Sequence, residues 1–166
     1  AHFVLRTSDI DRLAGWYCSV LEARVVHRNK MISFATFDDE HHRIAFIDRG
    51  FKTGPDLESN GVDHVAFTYE TLEDLLSNYV RLRDQGIVPE RTINHGPTTS
   101  MYYRDPDGNR IELQVENFAD SQHAIDFMTG PVFEANPIGV LFDADELVDR
   151  FDAGVPEEEL VRQGDG

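Results

Sequence analysis

The chain has almost no cysteine: one, Cys18, in 166 residues. A lone thiol excludes an internal disulfide framework and points to a reducing compartment, so a cytoplasmic protein is expected. Positive charge is also scarce. Fifteen Lys and Arg face 31 Asp and Glu, a formal charge of −16 with histidine neutral. Nucleic acid and anionic membrane surfaces draw their affinity largely from Lys and Arg, so both are disfavoured as partners. There is no apolar run of transmembrane length and no signal-peptide pattern. Ala1 stands where an initiator Met is expected, which reads as a trimmed or processed N-terminus. What is present suffices for one compact domain: 40% hydrophobic residues, eleven Phe among them,.

Taken in order, residues 1–6 read as a strand with His2, Val4 and Arg6 on one face and Phe3 and Leu5 on the other,. Ser8 or Asp9 is placed to cap a helix whose apolar positions are Ile10, Leu13, Ala14, Tyr17, Val20 and Leu21,. Val25–His27, Met31–Phe37 and Arg43–Asp48 read as strands, the last two joined by a charged turn, Asp38–His42. Residues 51–60, with Gly54-Pro55, read as a linker,.

The order then repeats. Gly61–Tyr69 is a strand with His64, Ala66 and Thr68 on one face, and Thr71 caps a helix carrying Leu72, Leu75, Leu76, Tyr79, Val80 and Leu82. An offset of 62 carries His2 onto His64, Ile10 onto Leu72, Leu13 onto Leu75, Ala14 onto Leu76 and Tyr17 onto Tyr79,. The repeat closes on two strands, Ser100–Arg104 and Arg110–Val115, joined by Asp105-Pro-Asp-Gly108, a turn with Pro presetting φ and Gly free to take positive φ,. The expected fold is α+β: two paired βαβββ modules, residues 1–50 and 61–116, forming an open barrel-like sheet around a site. Residues 117–166 follow as a helical and irregular tail. Helices are expected over 119–128, 143–151 and 156–162, with 130–139 irregular, and the tail reads as a surface extension, a lid or a subunit contact,.

Strand alternation puts Arg110, Glu112 and Gln114 opposite Ile111, Leu113 and Val115,. A carboxylate in mid-strand needs a reason, and His2 and His64, at equivalent positions of the two modules, offer one. Two imidazoles and a carboxylate form the facial set that suits non-haem Fe(II), with positions left open for substrate and O2; Mn(II) accepts the same set. The plainer alternative is that each histidine is a structural residue satisfied by its neighbours.

The paired modules, the Asp63–Phe67 strand and the run Tyr102-x-x-Asp105-Pro-Asp-Gly-Asn-x-Ile-Glu112 resemble the vicinal oxygen chelate superfamily. That superfamily holds glyoxalase I, bleomycin-resistance proteins, fosfomycin-resistance enzymes and type I extradiol dioxygenases. The resemblance covers residues 1–116, and the Asp-Pro-Asp-Gly-Asn run marks the superfamily without marking an activity. Three features look like the extradiol ring-cleaving members. His42-x-x-Ala-Phe46 is similar to the strand start where their histidine assists catalysis. His95-Gly-Pro-Thr98, then Tyr102 and Glu112, is similar to their His and Tyr before the ligand Glu, with the His95–Tyr102 interval slightly shorter than in two-domain members. Ala45 stands near where glyoxalases carry a fourth ligand, a Glu. The resemblance therefore implies a small, single-domain, homo-oligomeric enzyme of aromatic-ring catabolism that cleaves a catechol-type diol with O2. It implies Fe(II) on His2, His64 and Glu112, His42 as acid and base, Tyr102 hydrogen-bonding bound substrate, and His95 orienting substrate or stabilising charge. The rival readings are a glyoxalase-type isomerase or transferase and a metal-free ligand-sequestering protein of the bleomycin-resistance kind.

Overall fold

A computed structural model describes residues 1–56 and 58–163. The chain forms two compact units, Ala1–Asp63 with Arg104–Arg110, and His64–Tyr103 with the chain from Ile111 onward. The class is mixed α+β, with one open sheet of four strands and one of five.

The first unit contains β1 (Phe3–Thr7), α1 (Ile10–Val20), β2 (Arg24–Arg28), β3 (Ile32–Thr36) and β4 (Ile44–Asp48), the expected βαβββ order. Its sheet runs β1-β4-β3-β2. β1 and β4 are parallel from Phe3↔Ile44 to Thr7↔Asp48, joined through α1, β2 and β3,. Asp9 is the cap of α1, its carboxylate accepting from the Arg12 backbone N–H,. The helix buries Ile10, Leu13, Ala14, Tyr17 and Val20, the stripe expected at helical spacing,. The Tyr17 ring meets Phe46 of β4 at 5.5 Å between centroids.

The turn Asp105–Asn109 belongs to this unit, and its wiring explains its sequence. The buried Asp105 carboxylate accepts from the backbone N–H groups of Asp107 and Asn109, the Asn109 amide and the Tyr17 hydroxyl at 3.1 Å. Gly108 sits at φ +91, the conformation foreseen for it,. Burial first, then the Asp105 charge, raises the Tyr17 phenol well above its ordinary pKa,.

The second unit repeats the order with β5 (His64–Tyr69), α2 (Leu72–Asp84), β6 (Arg91–Asn94), β7 (Thr98–Arg104) and β8 (Arg110–Glu116). α3 (Ser121–Met128), α4 (Pro131–Ala135), β9 (Val140–Leu141), α5 (Ala144–Asp152) and α6 (Glu157–Leu160) follow. The sheet order is β5-β8-β7-β6-β9. β5 begins at His64, three residues later than expected. The stretch expected to be irregular, 130–139, contains α4, started by Pro131 in the first turn,.

The tail is built into this unit. β9 pairs with β6 through Ile93↔Leu141 and Asn94↔Val140. Asp145, in the first turn of α5, accepts from the Tyr79 hydroxyl at 3.0 Å and from Arg83 at 2.5 Å. The Asn94 amide donates to the Val161 carbonyl at 2.8 Å. Ala144, Leu147 and Leu160 are buried beneath these polar links. Among the described residues no helix is long and apolar enough to cross a membrane.

Candidate functional site

Three neighbouring strands and one turn of the second unit converge on a buried carboxylate. β8 lies between β5 and β7. Alternation turns Glu112 and Gln114 of β8 to the face of His64, Ala66 and Thr68 of β5, and the Gln114 amide donates to Thr68 Oγ1 at 3.1 Å on that face,. Glu112 is 5% exposed. Its Oε2 lies 2.9 Å from His64 Nε2, and its Oε1 accepts from the Tyr102 hydroxyl at 3.0 Å. The Tyr102 hydroxyl also lies 2.9 Å from His95 Nε2. On its other side His95 presents Nδ1 to the Ile138 carbonyl at 2.6 Å. The Arg91 guanidinium sits 5.3 Å from the Tyr102 ring centroid,. A continuous array results: Ile138 carbonyl, His95, Tyr102, Glu112, His64.

The array suits a cation. A buried carboxylate costs free energy unless its charge is answered. Here the answering groups include a phenol and the His64 imidazole, a side chain 32% exposed whose Nε2 is an atom of a type able to ligate a metal,. One imidazole nitrogen and one carboxylate oxygen side by side form a donor pair for a divalent first-row ion. Among the described residues, no group of three or more His, Cys, Asp or Glu is arranged to hold a metal.

The first unit carries the other predicted residues. His2 and His42 lie with ring centroids 4.4 Å apart, and His42 also meets Phe34 at 4.7 Å. His41 is adjacent, its Nδ1 2.5 Å from His42 Nδ1. Arg43 fixes the start of β1: its backbone carbonyl accepts from Phe3, and its guanidinium donates to the Ala1 carbonyl at 3.2 Å and to Asp38 at 2.8 Å. Desolvation, then the charges of His2 and His41, lowers the His42 pKa and favours the neutral, proton-accepting ring,. Ala45, opposite Val4 in the register, is a buried small side chain.

The structure thus gathers His64, Glu112, Tyr102 and His95 in one unit and His2 with His42 in the other. Tyr103 points away from Tyr102 into the core, as the one-residue phase shift requires, and is 1% exposed,. His27 and His123 are exposed, the latter paired with Asp120. Cys18 is half-buried, and burial raises its thiol pKa. Sequence reasoning missed the Ile138 carbonyl, because a backbone acceptor in a loop leaves no residue-type signal. It also missed Arg91, because β6 was not located.

Residues 1–113 match the profile of the Glyoxalase/Bleomycin resistance protein/Dioxygenase superfamily. The chain is 43% identical over 162 residues to biphenyl-2,3-diol 1,2-dioxygenase 2 of Rhodococcus globerulus, covering 97% of this chain and 85% of that one. It is 44% identical over 163 residues to biphenyl-2,3-diol 1,2-dioxygenase 3 of the same organism, covering 97% and 86%. Among solved structures, it resembles a glyoxylase/bleomycin resistance protein/dioxygenase domain from Frankia sp. EAN1pec, with a TM-score of 0.57, 25% identity, and coverage of 70% of this chain and 95% of that one.

Proposed function

The chain belongs to the glyoxalase/bleomycin resistance protein/dioxygenase superfamily, and from that premise we propose that it is an extradiol ring-cleaving dioxygenase acting on a catechol-type diol. The observation that carries the reading is the continuous array from His95 through Tyr102 and Glu112 to His64. The likeness along nearly the whole chain to two enzymes named for biphenyl-2,3-diol supports it and makes a 2,3-dihydroxybiphenyl the first substrate to try.

His2, His64 and Glu112 would hold Fe(II), with Mn(II) the other ion this donor set accepts. Bound there, the metal would bring diol and O2 together and carry electron density from one to the other. The chain's own groups manage protons and position. Tyr102, within hydrogen-bond reach of Glu112, offers its phenol oxygen to a diol hydroxyl. His42, with its pKa lowered, takes a proton from the diol and returns it as the ring opens,. His95 backs Tyr102 and through it orients the substrate. Both oxygen atoms enter one product, a ring-opened semialdehyde acid, so no external reductant is consumed.

Residues 1–116 are read as the catalytic domain, with 117–166 its extension. A reducing cytoplasm, supported by the single cysteine, and a homo-oligomer, suggested by the family resemblance, are the accompanying proposals,.

The test is Fe(II) reconstitution without oxygen, then air and a panel of catechols, following O2 uptake against product absorbance. Equal molar uptake and product formation, abolished in Glu112→Ala and reduced about 10²- to 10⁴-fold in His42→Ala, is the expected result. Iron binding without product would overturn the assigned reaction; neither iron nor product would point to a ligand-sequestering protein.

A further inference from the structure

Residues 136–139 of the tail fold against the turn that carries His95. Asn136 closes the loop on itself: its amide donates to the Gly139 carbonyl at 2.9 Å, and its side-chain oxygen accepts from the Gly139 N–H at 3.0 Å. Gly139 sits at φ +99, and a Cβ there would overlap the Asn94 carbonyl and crowd the His95 Cα. Glycine alone permits this conformation and this approach without strain. β9 then continues along β6 from Asn94↔Val140. These constraints seat the Ile138 carbonyl on His95 Nδ1 at 2.6 Å. The Ile138 side chain is 65% exposed, so the residue acts through its backbone.

A carbonyl oxygen only accepts, so Nδ1 must carry hydrogen. In a neutral imidazole the other nitrogen then holds a lone pair. That nitrogen, Nε2, faces the Tyr102 hydroxyl at 2.9 Å. The hydroxyl has one hydrogen, and both Nε2 and Glu112 Oε1 are acceptors within its reach. The opposite tautomer would set a nitrogen lone pair against the carbonyl and leave Tyr102 with Glu112 as its sole acceptor in this array.

We propose that the 136–139 loop is a positioning element for the ring-cleavage site, holding His95 as the Nδ1–H tautomer so that Nε2 is a standing acceptor for the Tyr102 hydroxyl. The functional consequence rests on the reaction proposed above. With Nε2 available, the hydroxyl hydrogen turns away from Glu112 without losing a hydrogen bond. The carboxylate oxygen is then free to bind a cation, and the phenol oxygen is free to accept from a diol hydroxyl. Asn136 and Gly139 are positioning residues that act through His95.

Long-range proton–nitrogen NMR on the full chain, labelled in histidine nitrogen and with no metal added, reads the tautomer directly; His95→Gln assigns the signal. The wild type is expected to show His95 as Nδ1–H. Gly139→Ala is expected to lose that signature, and its Fe(II)-loaded form to lose kcat by about ten- to a hundredfold with KM little changed. Val88→Ala, at an exposed position outside the loop and the array, is expected to leave both readouts at wild-type values. Should Gly139→Ala not fold, Asn136→Ala removes the loop's side-chain bonds without a steric clash and carries the same expectation for the tautomer. An Nε2–H or mixed tautomer in the wild type, or an Nδ1–H signature that survives in the folded variants, overturns the proposal. Absence of ring cleavage in the wild type would instead strike the reaction and leave the tautomer result standing.

Discussion

At Tyr102 a single hydroxyl serves two neighbours, Glu112 and His95. Tyr102→Phe removes it while keeping the ring and its packing. The buried Glu112 then loses a donor, at a cost of about 1–3 kcal/mol in the metal-free protein, readable as a lower midpoint in urea. Activity is expected to fall further than folding does, by about 10²-fold in kcat. Elsewhere, burial makes phenols reluctant acids. Tyr17 and Tyr103 are raised by burial above all, and Tyr79 is pushed up to about 12 by burial and then by its bond to Asp145. An alkaline absorbance titration is therefore expected to show three of the five tyrosines ionising late. The folded state prefers the neutral phenol, so the contribution of Tyr79 to stability is complete below its ordinary value of 10.0 and is lost as pH rises toward about 12,. Tyr79→Phe should flatten that part of the stability curve. At this scale the site was partly legible. His64 and Glu112 stood out because strand alternation sets polar residues on one face. The His95 partner is a main-chain carbonyl, and no residue type announces it.

Among the elements, the two helices of the repeat were legible almost to their caps, Thr71 outright and Asp9 as one of two candidates with Ser8, because an eleven- or thirteen-residue helix displays its apolar period several times over,. β6 has four residues and β9 two, too few to display a period; β6 owes its strand form to pairing with β7 and β9, and β9 to pairing with β6. α4 was hidden by Gly130 and Pro131, which read as breakers but here start a helix,. The docking of α5 on α2 makes a prediction of its own. The hydrogen bond from Arg83 first, then that from Tyr79, lowers the Asp145 pKa. The ionised form is the one favoured in the fold, so its contribution is present above the ordinary value of 3.8 and is lost as pH falls below it,. Asp145→Asn is expected to speed amide exchange across 144–152 at neutral pH, with little effect on exchange in α1. Equal exchange in wild type and variant would show that apolar burial of Ala144 and Leu147 alone holds the helix.

For the molecule as a whole, the 62-residue repeat made the class visible before any site was considered, since two copies of one pattern imply two copies of one unit,. Each unit alone shows the βαβββ order that the repeat demanded. The tail was harder to read because its role is to complete a neighbour rather than to form a core of its own. The charge of −16 belongs to this scale too. Self-repulsion opposes compaction, so moderate salt is expected to raise the thermal midpoint, and an unchanged midpoint would mean that the acidic side chains are already neutralised by local pairing. The central claim is the insertion of both atoms of O2 into one diol. The most direct measurement is mass spectrometry of the product formed by the Fe(II)-loaded chain from 2,3-dihydroxybiphenyl under oxygen-18 gas. Two labelled atoms in one ring-opened molecule, one of them in the carboxylate and the other subject to exchange with water unless trapped quickly, is the predicted result. A product carrying one label or none after rapid trapping, or a diol recovered unchanged, would contradict it.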